Sequence, residues 1–285
     1  MARPQDALSS CSPLGRESGS GRGSGSGRGS EKHHPRSPYT HPVLFPIRDS
    51  IAPRIAPVVN LGLIIACCLA FVYQLVLGSD VERLFFAAAF IPARLFGSLP
   101  AATGIPDYGV AGNLVTILLS MFLHGGWLHI IGNMWFLYVF GDNVESALGH
   151  LRYLLLYLGG GAAAALAHAV TQPASTVPTV GASGAIAAVL GAYIVMYPSS
   201  RIHTLVFLGF FITVTELPAL AMLGFWFLLQ FVEGALSLAA QAQAGGVAWF
   251  AHIGGFLAGV AVAWWLRMRG RLQRPAARYQ IWYRH

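Results

Sequence analysis

Three long stretches of this chain carry no Asp, Glu, Lys or Arg: residues 108–141, 153–200 and 235–266. A helix needs roughly 20 mostly apolar residues to cross a bilayer, so these stretches hold one, two and one crossings respectively. The composition agrees, at 55% hydrophobic and 10% charged, where a soluble domain carries about a quarter charged residues. Water is not the main solvent of this protein.

The net charge of +7 could suggest a nucleic-acid partner, but its placement argues otherwise. Residues 1–56 hold eight Lys/Arg against four Asp/Glu, and residues 267–285 hold six Arg and no acid. Basic flanks around an apolar body are what orientation in a membrane requires, so the expected partner is the lipid bilayer and no nucleic acid. The three cysteines define no disulfide framework or metal spacing. Cys11 lies in a polar tail, and Cys67 and Cys68 are neighbours in one apolar helix, where they do not readily pair.

Residues 1–45 are rich in Gly, Ser, Pro and Arg. They cannot bury enough apolar surface to offset chain entropy and are expected to be a disordered cytoplasmic tail. Residues 46–268 form the membrane domain, and residues 269–285 a basic cytoplasmic tail. Six spans are expected, over about 57–78, 127–147, 151–170, 181–198, 217–239 and 247–266. A long connection, 79–125, contains an apolar run from Leu84 that is too short to cross and suits the interface. The stretch 201–216 reads as a loop or interfacial piece. Six spans put both ends on one side. The opposite connections carry Asp80, Glu82 and Asp107 against Arg83 and Arg94, so the positive-inside rule places both termini in the cytoplasm. The fold class is all-α, a polytopic membrane bundle of six transmembrane helices.

Polar side chains inside spans are costly unless they face the bundle interior. Four such residues matter: His129 and Asn133 in the second span, Ser183 at the start of the fourth and His252 at the start of the sixth. All three spans start at the outer face, so these groups fall within roughly 10 Å of the outer surface at about 1.5 Å per residue. Their chemistry is complementary. A serine hydroxyl becomes a nucleophile when a neutral imidazole takes its proton. His129 and Asn133, four apart, share a helix face and could donate hydrogen bonds to an oxyanion together with the Ser183 N–H. The fourth span carries a line of small residues (Ser183, Ala187, Gly191) and the sixth has Gly255 and Gly259 at GxxxG spacing on nearly the same face as His252, a pattern that lets two membrane helices pack closely.

The stretches FLHGGWLHIIGN, GASGAIAAVLGAY and AHIGGFLAG resemble the rhomboid family of intramembrane serine proteases, and the likeness runs from about Asn113 to Trp265. Phe210-Phe211-Ile212 and Glu216-Leu217-Pro218 lend weaker support. The resemblance implies that Ser183 is the nucleophile and His252 the general base of a Ser-His dyad without a third acid. It assigns His129, Asn133 and the Ser183 N–H to the oxyanion hole, Gly181 to a small position that leaves room for substrate, and His124 to a structural role in the outer loop. Many family members carry a Trp-Arg pair where Val115 and Thr116 stand here, and an aromatic where Ala187 stands. Another aromatic, such as Phe250 or Tyr193, is therefore expected to support His252.

Two further intramembrane acids read as structural or solvated: Glu216 at the cytoplasmic interface and Glu233 along the fifth span. His150, His168 and His203 read as interfacial. No metal set, HExxH pattern or pair of intramembrane aspartates is present, and no cofactor is expected. The chain is expected to be an endopeptidase acting on transmembrane protein substrates near the outer face, in a bacterial plasma membrane. The alternatives are a rhomboid-like pseudoenzyme that binds membrane clients and, behind it, a transporter using the same polar layer for a solute.

Overall fold

A computed structural model describes residues 43–100, 103–208, 211–239 and 248–272. The tail before Val43, Phe210 and the side chain of Glu233 lie outside these residues. Six main helices follow the expected spans closely: α1 (Val58–Leu77), α5 (Trp127–Leu148), α6 (His150–Thr171), α7 (Ser183–Met196), α8 (Ala219–Ala239) and α9 (Trp249–Met268). The long connection adds α2 (Val81–Ala88), α3 (Pro92–Leu95) and α4 (Gly109–Ser120).

The chain is a polytopic helical membrane bundle. Among the described residues, Val58–Ala88, His150–Thr171 and Trp249–Met268 are helical runs long and apolar enough to cross a membrane. Large apolar side chains on the outer helix faces, including Leu61, Leu69, Val76, Leu128, Leu151, Leu228 and Leu257, are left exposed. Lipid tails suit such a surface and water does not.

α7 is the axis of the bundle. Every residue from Gly184 to Tyr193 is buried, because α5, α6, α8 and α9 surround it. Its closest partner is α9, and the glycines explain why. A methyl group on Gly255 would overlap the Gly184 carbonyl, one on Gly259 the Ala188 carbonyl, and one on Gly191 the Phe256 carbonyl. The two helices therefore cross backbone to backbone, as the small-residue pattern anticipated. α5 and α6 are separated by Gly149 alone, whose φ of 79° makes the reversal.

One expectation needs correction. Residues 201–216 are not a loop: β2 (Arg201–Leu208) and β3 (Phe211–Pro218) pair antiparallel, with Ile202 opposite Leu217 and Thr204 opposite Thr215. β1 (Val43–Asp49), which starts inside the stretch read as tail, adds to β2 and makes a three-stranded sheet in the order β1-β2-β3. The β-branched and aromatic residues of RIHTLVFL and FITVTELP favour extended chain, and Arg201 and Glu216, 3.2 Å apart, join across the hairpin.

β1 is fastened to the bundle by Trp135, whose indole N–H donates to the Pro46 carbonyl at 2.6 Å, and by Asp49. The Asp49 carboxylate accepts from the Tyr193 hydroxyl at 2.5 Å and the Asn143 amide at 2.8 Å. Nearby, the fully buried Glu145 accepts from the Val59 and Asn60 N–H groups at 3.0 and 2.7 Å. It thereby caps the start of α1 with negative charge where the helix dipole favours it.

Candidate active site

At the other end of the same helices is a cavity of about 1240 Å³, lined among others by His129, Asn133, His168, Gly181, Ser183, Gln230 and His252. Ser183 is the first residue of α7, so its N–H is among those a helix start leaves without an intrahelical partner. The segment ahead of it is strapped to the long connection. Phe90 and Thr179 exchange backbone hydrogen bonds at 3.3 and 2.7 Å, and the Gly181 N–H donates to the Ser120 carbonyl at 2.9 Å.

Gly181 and the second helix meet here. Gly181 has φ 125°, a conformation that other residues rarely adopt. A methyl group on it would lie 2.6 Å from His129 Nε2 and 3.6 Å from Asn133 Nδ2. A side chain at this position would press on the two polar groups of α5, which is a more specific reason for glycine than general room in the site.

Both α5 groups point hydrogen atoms at this spot. The Gly125 N–H donates to His129 Nδ1 at 3.3 Å, so the neutral imidazole carries its proton on Nε2, the nitrogen beside Gly181. Asn133 is 9% exposed and its Nδ2 has no hydrogen-bond partner. A buried donor without an acceptor is costly and in a native structure calls for an explanation.

His252 is 8% exposed. Its Nδ1 lies 2.5 Å from Gln230 Oε1, and the Trp226 ring lies against its face, with centroids 5.9 Å apart and planes 37° from parallel. Trp249 meets it edge-on at 6.3 Å. The expected support from Phe250 or Tyr193 is therefore corrected. Tyr193 is committed to Asp49 and Phe140 at the sheet end, and α8 and Trp249 supply what Ala187 lacks. The Ser183 hydroxyl makes no hydrogen bond among the described residues. Serine and histidine share the cavity without being joined, and such contacts commonly tighten only when substrate binds.

His124 is 1% exposed and sits just behind the cavity wall, next to Gly125, which lines it. Its backbone is bracketed by Gln74 of α1: the His124 N–H donates to Gln74 Oε1 at 3.0 Å and Gln74 Nε2 donates to the His124 carbonyl at 2.7 Å. Its ring packs edge-on against His129 at 5.3 Å. The buried Arg94 ties the long connection between α1 and α5 together. It donates to the carbonyls of Phe86, Ala89 and Pro106 and stacks over Tyr108.

Sequence inspection missed Gln230, Trp226, Gln74 and His168. His168, read as interfacial, is 7% exposed, lines the cavity and leaves Nδ1 without a partner. The available signal was the one used for His129 and Asn133, a polar side chain in an apolar span. Among the described residues, Cys67 is a buried thiol of the core, whereas Cys68 is exposed on the outer face of α1.

A family model for the Rhomboid domain matches residues 111–269. YdcA of Bacillus subtilis (strain 168) is 36% identical over 129 residues, covering 40% of this chain and 64% of that protein. Rhomboid-like protease 5 of Toxoplasma gondii is 36% identical over 110 residues, 35% of this chain and 12% of its own length. RHOMBOID-like protein 12, mitochondrial, of Arabidopsis thaliana is 32% identical over 179 residues, 56% of this chain and 48% of that protein. The chain thus spans less than two thirds of each of these relatives.

Proposed function

The chain belongs to the rhomboid family, and on that footing we propose that it is an intramembrane serine endopeptidase that cleaves single-span membrane proteins near the outer face. The observation that carries this reading is the meeting of two N–H donors, His129 Nε2 and the unpartnered Asn133 Nδ2, beside Gly181 in the cavity that Ser183 and His252 also line. Donors held ready for a charge that forms only during reaction are the mark of an oxyanion hole.

The Ser183 oxygen attacks a peptide carbonyl of the substrate while His252 takes the hydroxyl proton. The negative oxygen of the tetrahedral intermediate accepts from His129, Asn133 and the Ser183 N–H. Collapse breaks the C–N bond, leaves an acyl group on Ser183 and returns the proton from His252 to the departing amine. Water, deprotonated by His252, then frees the acid and restores the serine. The substrate must present extended backbone, because a helical segment keeps its carbonyls engaged. Helix-weakening Gly, Ser or Ala near the cleaved bond should help.

A pseudoenzyme of the same fold would bind clients without turnover, and the presence of both Ser183 and His252 favours the enzyme. A transporter would need broken spans in matching halves, and the described helices of the six spans are continuous. The basic flanks support cytoplasmic termini, and the Ala-, Arg- and Gly-rich composition with a compact six-span plan supports a bacterial plasma membrane. Reporter fusions to both ends test that orientation, and a reporter active only outside the cell would overturn it.

The deciding experiment reconstitutes the full chain in liposomes with tagged single-span proteins. Cleavage by wild type and none by Ser183→Ala is expected. A folded wild type that cuts none of a broad panel, or a Ser183→Ala variant that cuts equally, overturns the reading.

A further inference from the structure

The Ser-His pair of this protein has a third, uncharged partner: we infer that Gln230 positions His252 and fixes its tautomer. The inference rests on the proposed proteolysis for its catalytic meaning, but its structural content stands on geometry alone. Gln230 lies on α8 and His252 on α9, each 8% exposed, and Oε1 of the amide meets Nδ1 of the ring at 2.5 Å.

An amide oxygen only accepts, so Nδ1 must carry the hydrogen. A neutral imidazole has one such hydrogen. Nε2 is therefore left with its lone pair free, which is the form needed to take a proton from a serine. The opposite tautomer would present an N–H there and could not act as a base.

The ring is also held in orientation. Trp226 precedes Gln230 by four residues and so lies on the same face of α8, where it covers the imidazole at a centroid distance of 5.9 Å. One helix face thus supplies a lid for the ring plane and an acceptor for the ring edge.

The residue type fits the solvent. In water-soluble triads an ionised carboxylate accepts from the base, but a charge at membrane depth is expensive. A glutamine orients the imidazole with no charge to bury. The titratable groups near His252 from the other packed elements are His129 on α5 and His168 on α6, and neither offers an anion to do the same work. Gln230 is a positioning residue, since it reaches the substrate only through His252.

The test compares Gln230→Met, which keeps bulk and loses the acceptor, with Gln230→Glu, which keeps an acceptor and adds charge. In detergent, Gln230→Met should lose kcat by about 10-fold or more, the lower end of the range seen when a partner that orients a metal-binding histidine is removed, with KM little changed. Gln230→Glu should recover turnover at alkaline pH and move the acidic limb of the kcat profile to higher pH, because the carboxylate stabilises the imidazolium. Wild-type kcat in Gln230→Met, or an unmoved limb in Gln230→Glu, overturns the inference.

A second readout does not depend on activity. In 15N-histidine-labelled full chain, the His252 ring, identified by its loss in His252→Ala, should show a protonated Nδ1 and a bare Nε2, and this pattern should vanish in Gln230→Met. An identical pattern in that variant overturns the inference. If wild type shows no Ser183-dependent cleavage, the protease reading fails, while the ring spectra still decide whether Gln230 sets the tautomer.

Discussion

The two ends of this bundle treat polar groups in opposite ways. At the sheet end, Glu145 is matched to two N–H groups and His150, Asp49 to Tyr193 and Asn143, and Tyr153 to Asn60 at 2.6 Å. At the cavity end, Asn133 Nδ2 and His168 Nδ1 are buried without partners, and the Ser183 hydroxyl is unpaired among the described residues. Both ends are built from the same helices, α5 and α7 among them. The contrast teaches that the cavity end leaves polar capacity unused where a ligand can claim it, while the sheet end spends its polar groups on holding the fold. The sheet end is not perfect, since Asn143 Oδ1 is also without a partner, but Asp49 and Glu145 are each held by several hydrogen bonds.

The comparison breaks most visibly if polar deletions at the two ends have similar consequences. His252→Ala should lower kcat/KM by at least about 10⁴-fold, as loss of the base does in serine hydrolases, while thermal unfolding in detergent stays near wild type. A mild kinetic effect would mean that the cavity histidine is structural. Asn133→Ala should lower kcat by about 10²–10³-fold and leave Tm equal or higher, since it removes a buried donor that has no acceptor. A drop in Tm with unchanged kcat would place Asn133 with the structural groups.

Glu145→Ala should do the reverse. It strips the cap from α1 and costs about 1–2 kcal/mol of stability, in the range for loss of a helix cap, read as a lower Tm with kcat unchanged. Loss of turnover at unchanged stability would join the two ends into one functional unit.

The smallest effect is the pH dependence of the β1 attachment. Burial raises the Asp49 carboxyl from 3.8 to about 6, against the opposing hydrogen bonds from Tyr193, Ile51 and Asn143. A raised carboxyl binds its proton more tightly in the folded state, so its contribution is complete below pH 3.8 and is lost as pH rises through about 6. Going from pH 7 to pH 5 should therefore strengthen the attachment by about 1 kcal/mol. Hydrogen exchange of the β1 amides would show this, and Asp49→Asn should abolish it. Protection that falls on acidification would contradict the assignment.

The helices were legible because membrane spans are defined by what they lack. The charge-free runs and the breakers between them locate α5, α6 and α9 within about two residues, the usual uncertainty of helix ends. That Ser183, His252, His129, Asn133 and Gly181 line one cavity was legible for a related reason: a polar or conformationally special residue in an apolar span is costly unless it faces the bundle interior. The sheet was not. Arg201, His203 and Glu216 broke the apolar pattern and read as a loop, although the β-branched residues Ile202, Thr204, Val206, Ile212, Thr213, Val214 and Thr215 carried the strand signal. Gln230 and Gln74 carried the signal of a polar residue in an apolar span, but which group each meets, like the stacking of Trp226, lies in contacts between helices. A glutamine in LGFWFLLQFV says nothing of the imidazole it meets until α8 and α9 are packed. The same holds for Arg94, whose bonds to the Phe86, Ala89 and Pro106 carbonyls exist only once the long connection has folded.

In the proposed reaction one hydroxyl, at the start of the innermost helix, is a nucleophile served by an imidazole from a neighbouring helix. Peptide mapping by mass spectrometry after treating the folded, detergent-solubilised chain with a fluorophosphonate tests it most directly. A single adduct on Ser183, formed by wild type and absent in His252→Ala, is the predicted result. An adduct on any other side chain, or one on Ser183 that forms equally fast without His252, would contradict it.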